Sequence, residues 1–333
     1  MKKTRKYLVT GLSGQDGAIL SKLLTDQGHK VYGMLRRTAS GNLWRLGELD
    51  LLNEIEIVEG DLTDQSSLQR IVKLTKPDII LNTAAQSHVK VSFDQPIMTG
   101  EITGMGVLNL LETVRLSNFK DSIRLVQFSS SEMFGGTHNA GPDGKLNENT
   151  ILDPMSPYAC AKVFAHNSCR LYRKAYGMFV STMIGFNHES EFRENTFVTR
   201  KITETACKIK LGLQDKIYLG NIEAGRDWSS AWDICDGIIK IANHQKPDDF
   251  VLGSGKVYKV KDFLKYSFEY LNLDYNDYLE IDPKFYRPAE VHNLLADTSK
   301  AEQILNWKPN PSIQELVERM VKADLKRLKN SKS

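Results

Sequence analysis

The 333-residue sequence lacks several features that would assign it to a specialised class. No stretch approaches the ~20 apolar residues of a membrane-spanning helix, and a strand-like run, not an apolar leader, follows the basic start. The four cysteines have neither metal-ligand spacing nor a pairing pattern, which indicates reduced thiols in the cytoplasm. A net charge of +3 is too small to indicate nucleic acid binding. We therefore expect no metal, no nucleic acid and no membrane partner.

Hydrophobic residues (41%) and charged residues (26%) have the balance of an ordinary globular protein, so the chain can bury a large core. The chain ends in a basic run that is spaced like the solvent-exposed face of a last helix: Lys322, Lys326, Arg327 and Lys329.

Strand-like runs alternate with helix-length segments over the first half of the chain. The strand-like runs are residues 7–10, 30–35, 54–58, 78–81, 122–128 and 178–185, and the helical ones include 14–27, 105–117 and 158–176. This order predicts an α/β fold, a Rossmann-type doubly wound parallel sheet with helices on both faces. From about residue 186 the segments shorten and prolines punctuate them, which predicts a smaller mixed α/β C-terminal lobe.

Gly11, Gly14 and Gly17 form a G-x-x-G-x-x-G motif between the first strand and the first helix. Glycine permits a tight turn there and lets a pyrophosphate approach the amides of a helix N-terminus. A Gly-rich turn without a ligand is the alternative, which the position between strand and helix disfavours.

The second strand ends in Arg36 and Arg37, where NAD-binding folds usually have an acid. Guanidinium groups suit a 2′-phosphate, so the pair favours NADP over NAD, unless both are solvated surface arginines. Asp61 follows the third strand and either accepts from the adenine amino group or belongs to the N-cap region of the next helix. The small residues of the 83–87 segment would let the backbone pass close to the cofactor.

Tyr158 and Lys162 are four residues apart on a predicted helix, so both project from one face. An ammonium beside a phenol favours the phenolate, which makes the tyrosine a usable acid/base. A hydroxyl from the 129–131 segment could hold the reacting hydroxyl against this tyrosine. Glu132 could remove a carbon-bound proton next to a carbonyl, or it could be a helix or loop cap. His188 either touches the cofactor or is a packed or capping histidine.

A set of longer strings makes the sequence specific. These are TGLSGQDG (10–17), RR (36–37), AAQSHVKVSFD (84–94), SPYACAK (156–162), FNHES (186–190), FVTRKI (197–202), LGN with RDW (219–228), YRPAEV (286–291) and LNWKP (305–309). In this order, along nearly the whole chain, they resemble the GDP-mannose 4,6-dehydratases. The resemblance implies an extended short-chain dehydrogenase/reductase, with an NADP-binding domain at 1–185 and a mainly GDP-sugar-binding lobe at 186–333. A segment near 229–255 is expected to return to the first domain.

The motifs and the resemblance together give the expected site residues. The catalytic set is Ser130, Glu132, Tyr158 and Lys162. The cofactor set is Gly11, Gly14, Gln15, Asp16, Gly17, Arg36, Arg37, Asp61, Leu62, Ala84, Ala85, Gln86, Ser87, Tyr158, Lys162, His188 and Arg193. The substrate set is Ser87, Ser130, Glu132, Asn187, Val198, Lys201, Arg226, Arg287 and Glu290.

The resemblance also implies a homo-oligomer and an activity. Residues 38–45 match a loop that reaches a neighbouring subunit's cofactor, which implies a homodimer or a homotetramer. The implied reaction is a redox-neutral, NADP-dependent dehydration of a GDP-linked mannose-type sugar by a hydro-lyase. The sequence departs from the family at Trp44, Ser130, Phe134 and residues 191–194. GDP-mannoheptose therefore stays open as the substrate, as do an epimerase, a 4-keto reductase and a non-catalytic NADP-binding protein.

Overall fold

The structure is a computed structural model that describes residues 4–38, 41–285, 294–310 and 312–330. The strands are β1 (Lys6–Thr10), β2 (Lys30–Leu35), β3 (Glu56–Glu59), β4 (Ile79–Asn82), β5 (Arg124–Ser130), β6 (Phe179–Gly185), β7 (Asn187–Glu189), β8 (Ile217–Leu219), β9 (Gly225–Ser230), β10 (Asp249–Leu252), β11 (Val257–Lys259) and β12 (Leu279–Ile281). The helices are α1 (Gln15–Asp26), α2 (Trp44–Glu48), α3 (Gln65–Thr75), α4 (Val89–Asp94), α5 (Pro96–Thr99), α6 (Gly106–Arg115), α7 (Pro157–Tyr176), α8 (Val198–Lys210), α9 (Ala231–Asn243), α10 (Val260–Tyr270), α11 (Ser299–Leu305) and α12 (Ile313–Asn330).

Within the described ranges, seven parallel strands form the central sheet in the order β3-β2-β1-β4-β5-β6-β10. Successive side chains of β1 face opposite sides, because Tyr7 and Val9 belong to one core and Leu8 to the other. Helices α1 and α9 cover the first side, and α3, α6 and α7 cover the second. The predicted doubly wound parallel sheet is therefore confirmed.

The predicted boundaries of β5 and of the helix near residue 105 differ from the structure. β5 continues to Ser130 because Ser129 and Ser130 pair with Ile184 and Gly185 of β6. Two serines end the apolar run, so the sequence alone placed the strand end at residue 128. The helix begins earlier than predicted, as a π-helical turn at Gly100–Met105 that continues into α6.

The second lobe has its own core among α8, α10 and α12, which includes Ile202, Phe263 and Val317. Two small sheets accompany these helices, one in the order β11-β9-β7 and one pairing β12 with β8. Strand β10 lies between β9 and β11 in the chain, but it pairs with β6 as an outer strand of the central sheet. The chain thus crosses between the lobes more than once, and the cleft between them has walls from both.

The basic run at the C-terminus does lie on a helix, but one residue of it is not solvent-facing. Lys322, Lys326 and Lys329 are exposed. The side chain of Arg327 is 22% exposed and pairs with Glu48 at 2.6 Å. The expectation for Arg327 was therefore wrong, because a carboxylate from α2 draws this guanidinium against the protein.

Two further properties concern membranes and metals. Among the described helices, none is long and apolar enough to cross a membrane. In the same ranges, no group of three or more His, Cys, Asp or Glu side chains is arranged to hold a metal ion. All four cysteines are free thiols; Cys160 is exposed and the other three are buried.

Candidate active site

A cleft of about 830 Å³ lies at the carboxyl ends of the central strands, where ligands of parallel sheets bind. Most expected site residues line it: Gly11, Gly14, Gln15, Asp16, Arg36, Asp61, Leu62, Ala84, Ala85, Gln86, Ser87, Ser130, Glu132, Tyr158, Lys162, Asn187, His188, Arg193, Val198, Lys201 and Arg226. Gly17 and Arg37 do not line it. Arg287 and Glu290 lie outside the described residues. Every strand of the predicted sheet thus contributes to one cleft.

The turn between β1 and α1 leaves no room for side chains on its glycines. Gly11 has a φ of +66°, and a Cβ on it would lie 2.8 Å from the backbone nitrogen of Ala84. A Cβ on Gly17 would lie 2.4 Å from the Gly11 carbonyl oxygen, so this glycine lets α1 pack against the turn. The result is a backbone cradle at a helix N-terminus, which fits the pyrophosphate of a dinucleotide.

Tyr158, Lys162 and Ser130 meet at the end of β5. Ser156 caps α7 by accepting from the Ala159 amide at 3.1 Å, which fixes the helix start just before Tyr158. The Lys162 ammonium donates to the Phe128 carbonyl at 2.6 Å and lies 5.8 Å from the centroid of the Tyr158 ring. The Ser130 hydroxyl lies close enough to the phenol to act on its pKa. Both α7 side chains are almost fully buried.

Burial dominates the electrostatics of this pair. It raises the pKa of Tyr158 to about 12, against the lowering effect of the Ser130 hydroxyl. It also lowers the pKa of Lys162 to about 8. The sequence led us to expect a lower phenol pKa beside an ammonium, and the structure has the opposite direction. The reason is that the ammonium bonds the Phe128 carbonyl while burial, which disfavours a charged phenolate, outweighs the effect of the Ser130 hydroxyl.

Glu132 follows on a short 3₁₀ helix, Ser131–Phe134. The cap of that helix is Ser130, whose hydroxyl accepts from the Glu132 amide at 3.2 Å. The Glu132 carboxylate lines the cleft, and after burial its charge contributes to the raised pKa of Tyr158. The carboxylate and the phenol line the same cleft, and each is a group that can transfer a proton. The site is therefore suited to two separate proton transfers.

His188 and Asp61 have definite partners. Nε2 of His188 lies 3.1 Å from the Asp16 carboxylate, and its Nδ1 lies 2.7 Å from the Phe186 carbonyl oxygen. Asp61 accepts from the Thr63 amide at 2.9 Å, whereas the N-cap of α3 is Asp64. His188 is thus a partly buried residue that lines the cleft. Asp61 does not cap the helix itself.

The opposite wall comes from the second lobe. Lys201 donates to the Tyr218 carbonyl at 2.6 Å and lies 3.5 Å from the centroid of the Phe285 ring. Burial lowers its pKa, and nearby Lys284 adds to this. Arg226 is 5% exposed, so the lobe presents a largely buried guanidinium to the cleft.

Several cleft residues had no sequence signal as ligand-binding residues. Phe285 and Asn221 approach because β12 pairs with β8, and a Cβ on Gly220 would lie 2.8 Å from the Phe285 carbonyl oxygen. Glu189 is buried and holds Arg193 at 3.1 Å. Gly220 of the LGN string was the one sequence feature that indicated the close approach of Phe285.

Comparison with known proteins agrees with this geometry. The family model described as GDP-mannose 4,6 dehydratase matches residues 8–320. GDP-mannose 4,6 dehydratase 1 of Arabidopsis thaliana is 43% identical over 99% of this chain and 92% of that protein. GDP-mannose 4,6-dehydratase of Sinorhizobium fredii is 38% identical over 98% of each chain. The solved dTDP-glucose 4,6-dehydratase of Bacillus anthracis in complex with NAD shares the fold, with a TM-score of 0.83 at 21% identity over 98% of both chains. The chain belongs to the GDP-mannose 4,6-dehydratase family.

Proposed function

We propose that this protein is a hydro-lyase that converts a GDP-linked mannose-type sugar to the GDP-4-keto-6-deoxy sugar without net redox change. The observation that supports this most is the meeting of Tyr158 and Glu132 in one cleft. An oxidation of the sugar at C4 requires one acid/base, and an elimination across C5 and C6 requires a second. A simple dehydrogenase needs the tyrosine alone.

The cofactor in this proposal is NADP, held by the glycine turn and by Asp61, Leu62 and the 84–87 segment. A nicotinamide bound there supplies reversible hydride transfer, which allows one enzyme to oxidise and later reduce the same sugar. Arg36 is exposed at the end of β2 and lines the cleft, so it is placed to receive a 2′-phosphate. Arg37 does not line the cleft, and the preference for NADP therefore depends on Arg36. His188 and Arg193 complete this side.

Four residues have separate roles in the proposed reaction: Ser130, Tyr158, Lys162 and Glu132. The Ser130 hydroxyl orients the C4 hydroxyl, and Tyr158 accepts its proton. Burial raises the pKa of the phenol, and the Lys162 ammonium, 5.8 Å from the centroid of the phenol ring, is the nearby positive charge that would stabilise a phenolate. The 4-keto group then acidifies C5, and Glu132 removes that proton and passes it to the C6 hydroxyl, which leaves as water. Return of the hydride from the bound nicotinamide to C6 and of a solvent proton to C5 would give the 4-keto-6-deoxy sugar.

The substrate lobe supplies the GDP site in this proposal. It consists of Asn187, Val198, Lys201, Arg226, Arg287 and Glu290, with Ser87 on the sugar side. Lys201 and Arg226 provide positive charge for the diphosphate. The NADP-binding domain is residues 1–185 with the segment near 229–255, and the remainder of 186–333 binds the GDP-sugar.

We also propose a homodimer or homotetramer. The outer face of α7 exposes Phe164 (43%) and Leu171 (58%), two large apolar side chains on one helix. Light scattering of the purified protein would measure the assembly. The four free thiols support a cytoplasmic location.

The test of the proposed function is incubation of the protein with GDP-mannose and, separately, with GDP-mannoheptose, followed by mass spectrometry. We expect loss of one water from GDP-mannose with no net change in NADPH absorbance. Stoichiometric NADPH consumption would indicate a 4-keto reductase, and a product of unchanged mass would indicate an epimerase. Water loss from the heptose alone would redefine the substrate.

A further inference from the structure

The chain just after β7 is held by arginine side chains instead of by regular secondary structure. We call residues 191–193 the carbonyl turn. Arg200 of α8 donates to the carbonyl oxygens of Glu191 and Arg193, both at 2.9 Å. Arg327 of α12 also donates to the Glu191 carbonyl, at 2.7 Å. The turn therefore depends on side chains from distant elements for its conformation.

The middle carbonyl of this turn is bound by Arg45, and Arg45 has a second partner. Its Nε donates to the Phe192 carbonyl at 2.6 Å, and its Nη1 donates to the Ser13 carbonyl at 2.8 Å. Ser13 belongs to the glycine turn between β1 and α1. One guanidinium thus bridges two backbone turns that are far apart in the chain.

Both bridged turns form walls of the cleft. Ser13 and Gly14 line it from the cofactor side, and Arg193 of the carbonyl turn also lines it, as does the next residue, Glu194. Arg193 belongs to the turn, and its guanidinium lies 3.6 Å from the centroid of the Phe197 ring, next to Val198 of the expected substrate set. A shift of either turn would move groups that face the bound ligands.

The burial of Arg45 and its contact with the Trp44 ring suit it to bridging the two turns. It is 5% exposed, and its guanidinium lies 4.5 Å from the centroid of the Trp44 ring. Burial lowers its pKa to about 10, which still leaves it charged near neutral pH. A planar guanidinium has donors in fixed directions, so it can hold two carbonyls at a fixed separation.

We propose that Arg45 is a positioning residue that holds the glycine turn and the carbonyl turn together, and so sets the affinity for both nucleotides. The identity of the two ligands rests on the proposed function. Arg45 is committed to its own chain by both hydrogen bonds, although the 38–45 segment resembles a loop that reaches a neighbouring subunit.

Arg327 offers a matched control. It binds the carbonyl turn as Arg45 does, and its guanidinium also lies near the Trp44 ring, at 4.9 Å. Its remaining charged partners are Glu48 and Asp324, and none of its described hydrogen bonds reaches the glycine turn. A change at Arg327 should therefore loosen the carbonyl turn and leave the Arg45 bridge to the glycine turn in place.

The experiment measures NADPH and GDP binding by calorimetry on cofactor-free protein, for wild type, Arg45→Met and Arg327→Met. Methionine keeps much of the apolar volume and removes the donors. We expect Arg45→Met to weaken both NADPH and GDP about 10-fold or more, the loss that follows from one charge-assisted hydrogen bond on each side. Arg327→Met keeps the Arg45 bridge to the glycine turn, so it should weaken NADPH and GDP less than Arg45→Met does.

Two results would overturn the proposal. One is an unchanged NADPH affinity in Arg45→Met, and the other is an equal loss of NADPH affinity in Arg327→Met. If Arg45→Met does not fold, Arg45→Lys retains the charge without the planar fork, and it must show the same two-ligand pattern at a smaller size. Both affinities are measured without turnover. A failure of GDP-mannose to lose water would therefore contradict the proposed function and leave this test unaffected.

Discussion

Oδ2 of Asp16 lies 3.1 Å from Nε2 of His188, which joins the first turn of α1 to β7 across the cofactor side of the cleft. The Phe186 carbonyl oxygen fixes the other ring nitrogen at 2.7 Å. Burial alone would raise the pKa of Asp16, but the charge and hydrogen bond of His188 outweigh it and lower that pKa. Burial alone would lower the pKa of His188, and Asp16 outweighs that effect and raises it.

This pair predicts a pH-dependent contribution to stability. Between the ordinary pKa values of 3.8 for Asp and 6.5 for His, both groups are charged and the contribution is complete. It is lost as pH rises through the raised pKa of His188, and again as pH falls through the lowered pKa of Asp16. Asp16→Asn should therefore reduce the free energy of unfolding by about 1–3 kcal/mol near pH 5, and by less near pH 9. Urea unfolding of both proteins at each pH measures the difference.

Asp64→Asn is the control for that measurement. Asp64 caps α3 by accepting from the Ser66 amide at 3.0 Å, and none of its described hydrogen bonds involves a histidine. Asparagine also caps helices through its side-chain oxygen, so the effect of Asp64→Asn should be small and the same near pH 5 and near pH 9. An Asp16→Asn effect that is equally independent of pH would contradict the assignment of a charged His188.

The two arginines that follow β2 give a prediction about cofactor preference. Arg36 lines the cleft and Arg37 does not, although they are neighbours in the chain. Arg36→Ala should weaken NADP binding by about 10-fold or more and leave NAD binding nearly unchanged, because NAD has no 2′-phosphate. Arg37→Ala should affect both cofactors little. Fluorescence titration of the reduced cofactors would measure this, and equal losses for NADP and NAD in Arg36→Ala would exclude the assignment.

The parts of this molecule that the sequence predicted are those with local signals. Alternating apolar runs predicted the sheet, and the spacing of Tyr158 and Lys162 placed both on one helix. Arg45 and Arg327 could not be predicted, because each binds backbone carbonyls that are remote in the chain and that any residue provides. The raised pKa of Tyr158 was missed for a related reason. Its cause is burial by the whole fold, which the four-residue spacing does not report.

Ser130 provides a test of how the substrate hydroxyl is held. Its hydroxyl accepts from the Glu132 amide at 3.2 Å and lies near the phenol of Tyr158. Ser130→Thr keeps that hydroxyl and should retain substantial activity. Ser130→Ala removes it and should lower kcat by about 10²-fold or more, since a positioning and proton-transfer contact is lost. The ratio of the two kcat values is the measurement. An unimpaired alanine variant would mean that another group holds the C4 hydroxyl.

Glu132 distinguishes a dehydratase from simpler oxidoreductases. Glutamine is nearly isosteric with glutamate and should preserve the 3₁₀ helix, whose cap is the Ser130 hydroxyl. It cannot accept the C5 proton, however. Glu132→Gln should therefore bind the GDP-sugar normally and still oxidise C4, yet turn over about 10²–10⁴-fold more slowly, the range for a removed general acid/base.

Solvent deuterium gives the sharpest measurement of this step, because it follows the C5 proton itself instead of the overall rate. In deuterated buffer the wild type should place deuterium at C5 of the product, since the proton that Glu132 removes is replaced from solvent. Glu132→Gln should leave C5 of the recovered substrate unlabelled even after long incubation. Tyr158→Phe is the comparison, because it blocks the earlier oxidation and should also prevent labelling. In a single turnover, however, Glu132→Gln should form NADPH and Tyr158→Phe should not. Near-normal water loss with deuterium at C5 in Glu132→Gln would show that another group is the base.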